Sequence, residues 1–228
     1  MTTLNIRKYL LVPILAVLAL LMIRESVGIV KAIFSPTPPL TVTGNLEMYL
    51  WTAVGVGIYA VLRILMHKNM RWLEVFSHEL THAVVSLMML RKVHSLKAQD
   101  NGGEVSTSGK GITRVFVTLA PYCLPIFTYF FLFFRPLIKF DGLWIYDMVV
   151  GITVGFHAMC FKTQTGNHQP DINQFPKAFA YLYIFSFLLF NINTILVSYW
   201  SSKNIFTALV YTLSSIWEGL TAFFHLFF

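Results

Sequence analysis

The segment Phe76-Ser77-His78-Glu79-Leu80-Thr81-His82-Ala83-Val84 sets two histidines and a glutamate inside an apolar run extending from about Trp72 to Leu90. Read as a helix, the run puts residues four apart on one face, so His78 and His82 present two imidazole nitrogens to a single metal ion. Glu79 lies about 100° around the helix from His78, beside such an ion rather than on it. From there its carboxylate can take a proton from an activated water and return it to a leaving amine. The pattern is H-E-x-x-H. With seven His and six Glu among 228 residues, chance produces it about half a per cent of the time. In lipid these side chains are costly unless they face a partner or a cavity, which favours a metal site over a polar packing cluster.

Two histidines do not complete such a site. Catalytic zinc normally takes three protein ligands and keeps a fourth position for water. The sequence offers Asp171, His168, His157, Asp147 and His94. Asp171 stands in Gln169-Pro170-Asp171-Ile172 ahead of a later apolar run. That position suits a helix N-cap as well as a ligand, and spacing does not choose between them.

Around this segment the chain reads as a membrane protein. Hydrophobic residues make up 56% and charged residues 12%, about half the roughly 25% charge of a soluble domain. A soluble fold of this size still needs a polar skin, so lipid is the better solvent. Apolar runs cover about Tyr9 to Ile23, Met48 to Met66, Trp72 to Leu90, Val115 to Phe134, Leu143 to Phe161 and Ala178 to Tyr199. That is six spans, with the tail Phe206 to Phe228 a seventh or an interfacial helix. The first run follows Arg7 and Lys8 like a signal peptide but meets no small-residue cleavage site, so it reads as a retained span. Pro121 and Pro125 predict a kink in the fourth span. Ser35-Pro36-Thr37-Pro38-Pro39 is a loop.

The net charge of +7 comes from basic residues flanking apolar runs, where they meet headgroups; nucleic acid is not an expected partner. Arg63, Arg135 and Lys139 lie near span ends and are expected to snorkel, and Asp147 is expected at the interface. Charges do not separate the two orientations. Cys123 and Cys160 sit in apolar runs, so no disulfide framework is expected. Between the third and fourth spans, Lys92 to Ala98 and Glu104 to Ser108 flank Gln99-Asp100-Asn101-Gly102-Gly103, a hairpin signal because Asn-Gly tolerates positive φ.

His78-Glu79-Leu80-Thr81-His82 in a membrane segment, the Gly-Gly hairpin downstream and Pro170-Asp171 before another span together resemble the site-2 protease family of intramembrane metalloproteases. The compact outline is similar to the short branch without a PDZ or nucleotide-sensing domain, over about residues 70 to 190. That family's third ligand is an aspartate in an Asn-Pro-Asp-Gly or Leu-Asp-Gly motif. Gln169-Pro170-Asp171-Ile172 resembles the former, with Gln for Asn and Ile for Gly, so the resemblance implies Asp171 as the third ligand. Family members also set a strand beside the active site, implying substrate contacts at Gly102, Gly103, Glu104, Val105 and Ser106. A helical substrate must be unwound before cleavage, and a strand edge can receive the freed backbone. His157 and His168 are expected around the metal, outside its ligand set. The family's Gly-Pro and Asn element, whose Asn aids the oxyanion, is matched only at Pro121 within Ala120-Pro121-Tyr122-Cys123.

These readings predict an all-α polytopic bundle of six or seven spans with a small interfacial β-hairpin, forming a single integral domain over residues 1–228. The expected function is that of a multi-pass zinc endopeptidase of the cell membrane. It would act on single-span membrane proteins or peptides, with Zn2+ on His78, His82 and Asp171 and Glu79 as catalytic base. A non-catalytic zinc-bound protein that escorts a membrane partner is the second expectation, and a metal transporter the third.

Overall fold

Apolar runs become helices here because lipid offers backbone N–H and C=O groups no outside partner. A computed structural model describes residues 11–33, 46–99, 102–108, 113–138, 143–166, 168–199 and 204–225. Its helices are α1 (Val12–Ile33), α2 (Leu46–Leu65), α3 (His67–Met88), α4 (Thr113–Leu119), α5 (Ile126–Phe134), α6 (Leu143–Gln164), α7 (Pro170–Asn173), α8 (Lys177–Val197) and α9 (Ile205–His225). Strands β1 (Val93–Gln99) and β2 (Gly102–Thr107) lie between α3 and α4. The 3-10 turns Ala120–Tyr122 and Arg135–Leu137 follow α4 and α5. Arg7, Lys8, Lys139, the loop at 35–39 and the turn residues Asp100 and Asn101 lie outside the described residues.

Among the described residues four stretches are long and apolar enough to cross a membrane: Val12–Ala32, Glu47–Leu65, Leu143–Gln164 and Lys177–Val197. A fifth is added if Thr113–Tyr122 and Ile126–Leu137, bent by 86° at their break, count as one span. The six or seven spans expected from the sequence also counted α3 and α9, which are not among these. Helix α3 carries Lys68, Arg71, Glu74 and Glu79 along with its histidines, too much polarity for a lipid-facing rod. The kink expected at the prolines is a full break. Pro121 opens a 3-10 turn and Pro125 caps α5, so neither missing N–H interrupts a helical ladder.

The tightest helix pair is α2 with α6. A Cβ on Gly55 would fall 2.0 Å from the Met148 carbonyl oxygen, and one on Gly151 would fall 2.0 Å from that of Thr52. Small residues therefore set this crossing, as expected where lipid supplies no hydrophobic drive between helices. On the other side α1 packs on α8 through polar contacts. Ser186 Oγ donates to the Leu15 carbonyl at 3.1 Å, and Asn193 Nδ2 to that of Met22 at 3.1 Å.

Two charges expected at the interface are buried instead. Arg135 and Asp147 are 3% and 2% exposed, and Arg135 Nε donates to Asp147 Oδ1 at 2.9 Å. Pairing removes the reason to snorkel, because each charge satisfies the other away from water. Arg63 likewise donates through Nε to Glu74 Oε1 at 2.6 Å, tying α2 to α3.

The expected hairpin is present and antiparallel, with Gln99 opposite Gly102 and Lys97 opposite Glu104. Strand β2 begins two residues earlier than the sequence suggested. Gly102 has φ 151°, a backbone setting that glycine takes readily.

Candidate active site

Helix α3 sets the rings of His78 and His82 one turn apart, edge to face, with centroids 4.8 Å from each other. The one-turn helix α7 brings Asp171 to both. His78 Nε2 lies 3.3 Å and His82 Nε2 3.1 Å from Asp171 Oδ2. Among the described residues this is the one group of His, Cys, Asp and Glu side chains placed to hold a metal ion.

The other nitrogen of each ring is already committed. His82 Nδ1 faces the Val117 carbonyl oxygen at 2.8 Å, and His78 Nδ1 faces Gln164 Oε1 at 3.0 Å. A carbonyl oxygen only accepts, so both Nδ1 atoms carry the hydrogen and a neutral ring turns a bare Nε2 toward Asp171. Burial alone would raise the Asp171 carboxyl. With protons on the two Nε2 atoms as well, the imidazoles outweigh it and hold that carboxyl well below the ordinary carboxylate range. Without those protons three acceptor atoms converge, so positive charge must stand among them, either as protons on both rings or as one metal ion. The residues fit a metal: two nitrogen donors, one oxygen donor, and further groups that aim them.

Asp171 is held from its far side too. Gln174 Nε2 donates to Asp171 Oδ1 at 3.3 Å, and Arg114 Nη2 donates in turn to Gln174 Oε1. The Tyr122 hydroxyl donates to Asp171 Oδ2 at 3.5 Å, its ring edge-on to His78. Tyr122 has no exposed surface and does not line the cavity described next. It therefore does not supply the oxyanion donor that the sequence lacks at this turn.

A cavity of about 790 Å³ opens beside His78 and Asp171, lined by these two with Glu79 and His168 and by Gly102 to Val105 of β2. Glu79 is 8% exposed. Strand β2 crosses it closely: a Cβ on Gly103 would fall 2.3 Å from Glu79 Cγ, so only glycine lets the strand lie against this carboxylate. Ser106, also expected at the substrate contact, pairs with Ser95 further along the hairpin and does not line the cavity.

His168 reaches the cavity wall, three residues before Asp171. His157 does not. It lines a separate cavity of about 190 Å³ with Pro125, Thr128 and Asn191. Asp147 is taken up by Arg135, and His94 is exposed on β1. The groups that aim the site are Gln164, Gln174, Tyr122 and the Val117 carbonyl. None carried a sequence signal, because amides and backbone carbonyls have no characteristic spacing to a metal motif.

The helical bundle, the hairpin laid over the site and the His-His-Asp cluster define a class of membrane peptidase, and residues 48–217 match the family model Peptidase M50B-like. The chain belongs to this family, within the site-2 proteases. The match extends beyond residues 70 to 190, where the motifs lie, to include α2, α8 and part of α9. No curated protein and no solved structure matches the chain.

Proposed function

We propose that the protein is a multi-pass zinc endopeptidase of the cell membrane that hydrolyses peptide bonds of membrane-spanning substrates. One observation carries the reading: two imidazole Nε2 atoms each lie within 3.3 Å of one Asp171 carboxylate oxygen, all three within 4.8 Å of one another, beside Glu79. A tetrahedral ion with bonds of about 2.0–2.1 Å separates its ligand atoms by about 3.3 Å, which the two nitrogen–oxygen separations match. When bound, the metal supplies Lewis acidity that lowers the pKa of a water and polarises a carbonyl.

The chain's own residues do the rest. His78, His82 and Asp171 would hold the ion. Glu79 takes the proton of the attacking water and returns it to the leaving amine. Strand β2, close enough that Gly103 touches Glu79, receives the unwound substrate backbone by strand addition. Buried Glu79 works in a site walled by protein, where a charge acts more strongly than in water.

A second reading, a non-catalytic zinc protein that binds a membrane partner, is favoured by one feature. Ala120-Pro121-Tyr122-Cys123 has no asparagine side chain to aid the oxyanion, and the Tyr122 hydroxyl donates to Asp171.

Metal analysis together with a cleavage assay tests both readings. Protein purified with zinc present is expected to hold about one equivalent, and His78→Ala and Asp171→Ala to lose most of it. Single-span peptides are expected to be cut by the wild type only. Metal below a tenth of an equivalent in the wild type overturns the site. Metal retained with no cleavage across a broad peptide panel selects the second reading.

A further inference from the structure

The polar contacts of Gln164 reach past the ligand set. This residue ends α6, and its amide bridges two points on the same turn of α3. Nε2 donates to the Glu74 backbone carbonyl at 3.0 Å, and Oε1 faces His78 Nδ1 at 3.0 Å. The Glu74 carbonyl cannot donate, so it decides which end of the amide is the NH2 group. The oxygen is thereby turned toward His78. By helix geometry the same carbonyl also takes the His78 amide, four residues on, and a carbonyl has two lone pairs for the purpose.

We propose that Gln164 is a positioning residue that locks His78 as the Nδ1–H tautomer and so sets the affinity of the site for its metal. The inference rests on the zinc reading above. An acceptor at Nδ1 keeps the hydrogen there and leaves the Nε2 lone pair facing Asp171. It also fixes the rotation of the ring about its Cβ–Cγ bond. His82 receives the same service from the Val117 backbone carbonyl, which no substitution of that side chain removes. Of the two histidines, His78 is therefore the one whose setting depends on a replaceable side chain. Its neutrality matters too. A carboxylate there would accept the same hydrogen more strongly and raise ligand basicity, whereas the amide accepts without adding a negative charge beside Glu79 and Asp171.

The test is zinc affinity of the purified full chain, measured by competition with a chromophoric chelator, for the wild type, Gln164→Met and Gln164→Glu. Methionine keeps the length and removes both hydrogen bonds, and affinity is expected to fall about 10- to 100-fold. Glutamate loses the amide's donor but keeps the acceptor, and is expected to bind within about threefold of the wild type or more tightly. Wild-type affinity in Gln164→Met overturns the proposal. Equal losses in both variants also overturn it, since they would mean that the amide only clamps α6 to α3. If Gln164→Met does not fold, Gln164→Glu decides alone: retained affinity supports the tautomer lock, and a loss of about tenfold or more overturns it. A wild type that binds no zinc overturns the functional reading and this one together, whereas a zinc-binding wild type with an indifferent Gln164 overturns this one only.

Discussion

At the scale of single residues, the proposed chemistry rests on Glu79 standing beside the proposed metal ligands rather than among them. Its carboxylate is buried, lies under Gly103 and borders the cavity. Glu79→Gln keeps the shape and the hydrogen-bonding capacity and removes the proton acceptor. Turnover of a single-span peptide is expected to fall by about 10²- to 10⁴-fold, with metal content unchanged, as read by metal analysis on the same preparation. Loss of the metal in this variant would make Glu79 a ligand. Unchanged turnover would assign the base to another group.

At the scale of elements, the site is held by helices that meet at fixed separations. The seam between α2 and α6 is the closest of these, because Gly55 and Gly151 leave no room for a methyl group against the opposing backbone. Gly151→Ala forces α6 off α2, since the obstacle is the Thr52 carbonyl and not a side chain that can swing away. A loss of about 1–3 kcal/mol in unfolding free energy in mixed micelles is expected, typical of an overpacked interface. Helix α6 ends in Gln164, so zinc affinity is expected to weaken as well. Gly57→Ala is the control. It lies on α2, the other helix of the pair, its Cβ would meet nothing within 4 Å, and helix propensity favours alanine there by up to about 1 kcal/mol. Equal behaviour of the two variants would remove the seam from the account.

At the scale of the whole molecule, the proposed ion joins parts of the chain far apart in sequence: His78 and His82 on α3, and Asp171 about ninety residues later on α7. The unfolded chain offers no such convergence, so binding adds to folding stability. With zinc at about 100 times its Kd the gain is about 2.7 kcal/mol. Thermal unfolding of the zinc-loaded protein is expected at a higher temperature than after chelation, and re-addition of zinc is expected to restore it. The difference should vanish in His82→Ala. A melting temperature indifferent to chelation in a preparation shown to contain zinc would mean that the ion sits outside the His-His-Asp cluster.

Much of this was present in the order of residues. Apolar runs fixed where helices form, since backbone groups in lipid must pair within their own segment. The four-residue spacing of His78 and His82 followed from helical periodicity. Asn101-Gly102 marked the hairpin, since both residue types tolerate positive φ, and Gly102 takes it. Asp171 was different. Its residue type suited a cap or a ligand, and a resemblance rather than spacing favoured the ligand, because the fold of the chain between α3 and α7 decides whether the two meet. Arg63, Arg135 and Asp147 read as interfacial charges, yet tertiary packing paired Arg135 with Asp147 and Arg63 with Glu74. Gln164 and the Val117 carbonyl were invisible, since an amide or a backbone carbonyl gains its role only from what is folded against it. The sequence by itself determined which atoms could bind a metal. Tertiary structure decided which of them converge and which hydrogen each ring carries, because convergence depends on contacts between elements that no local periodicity encodes.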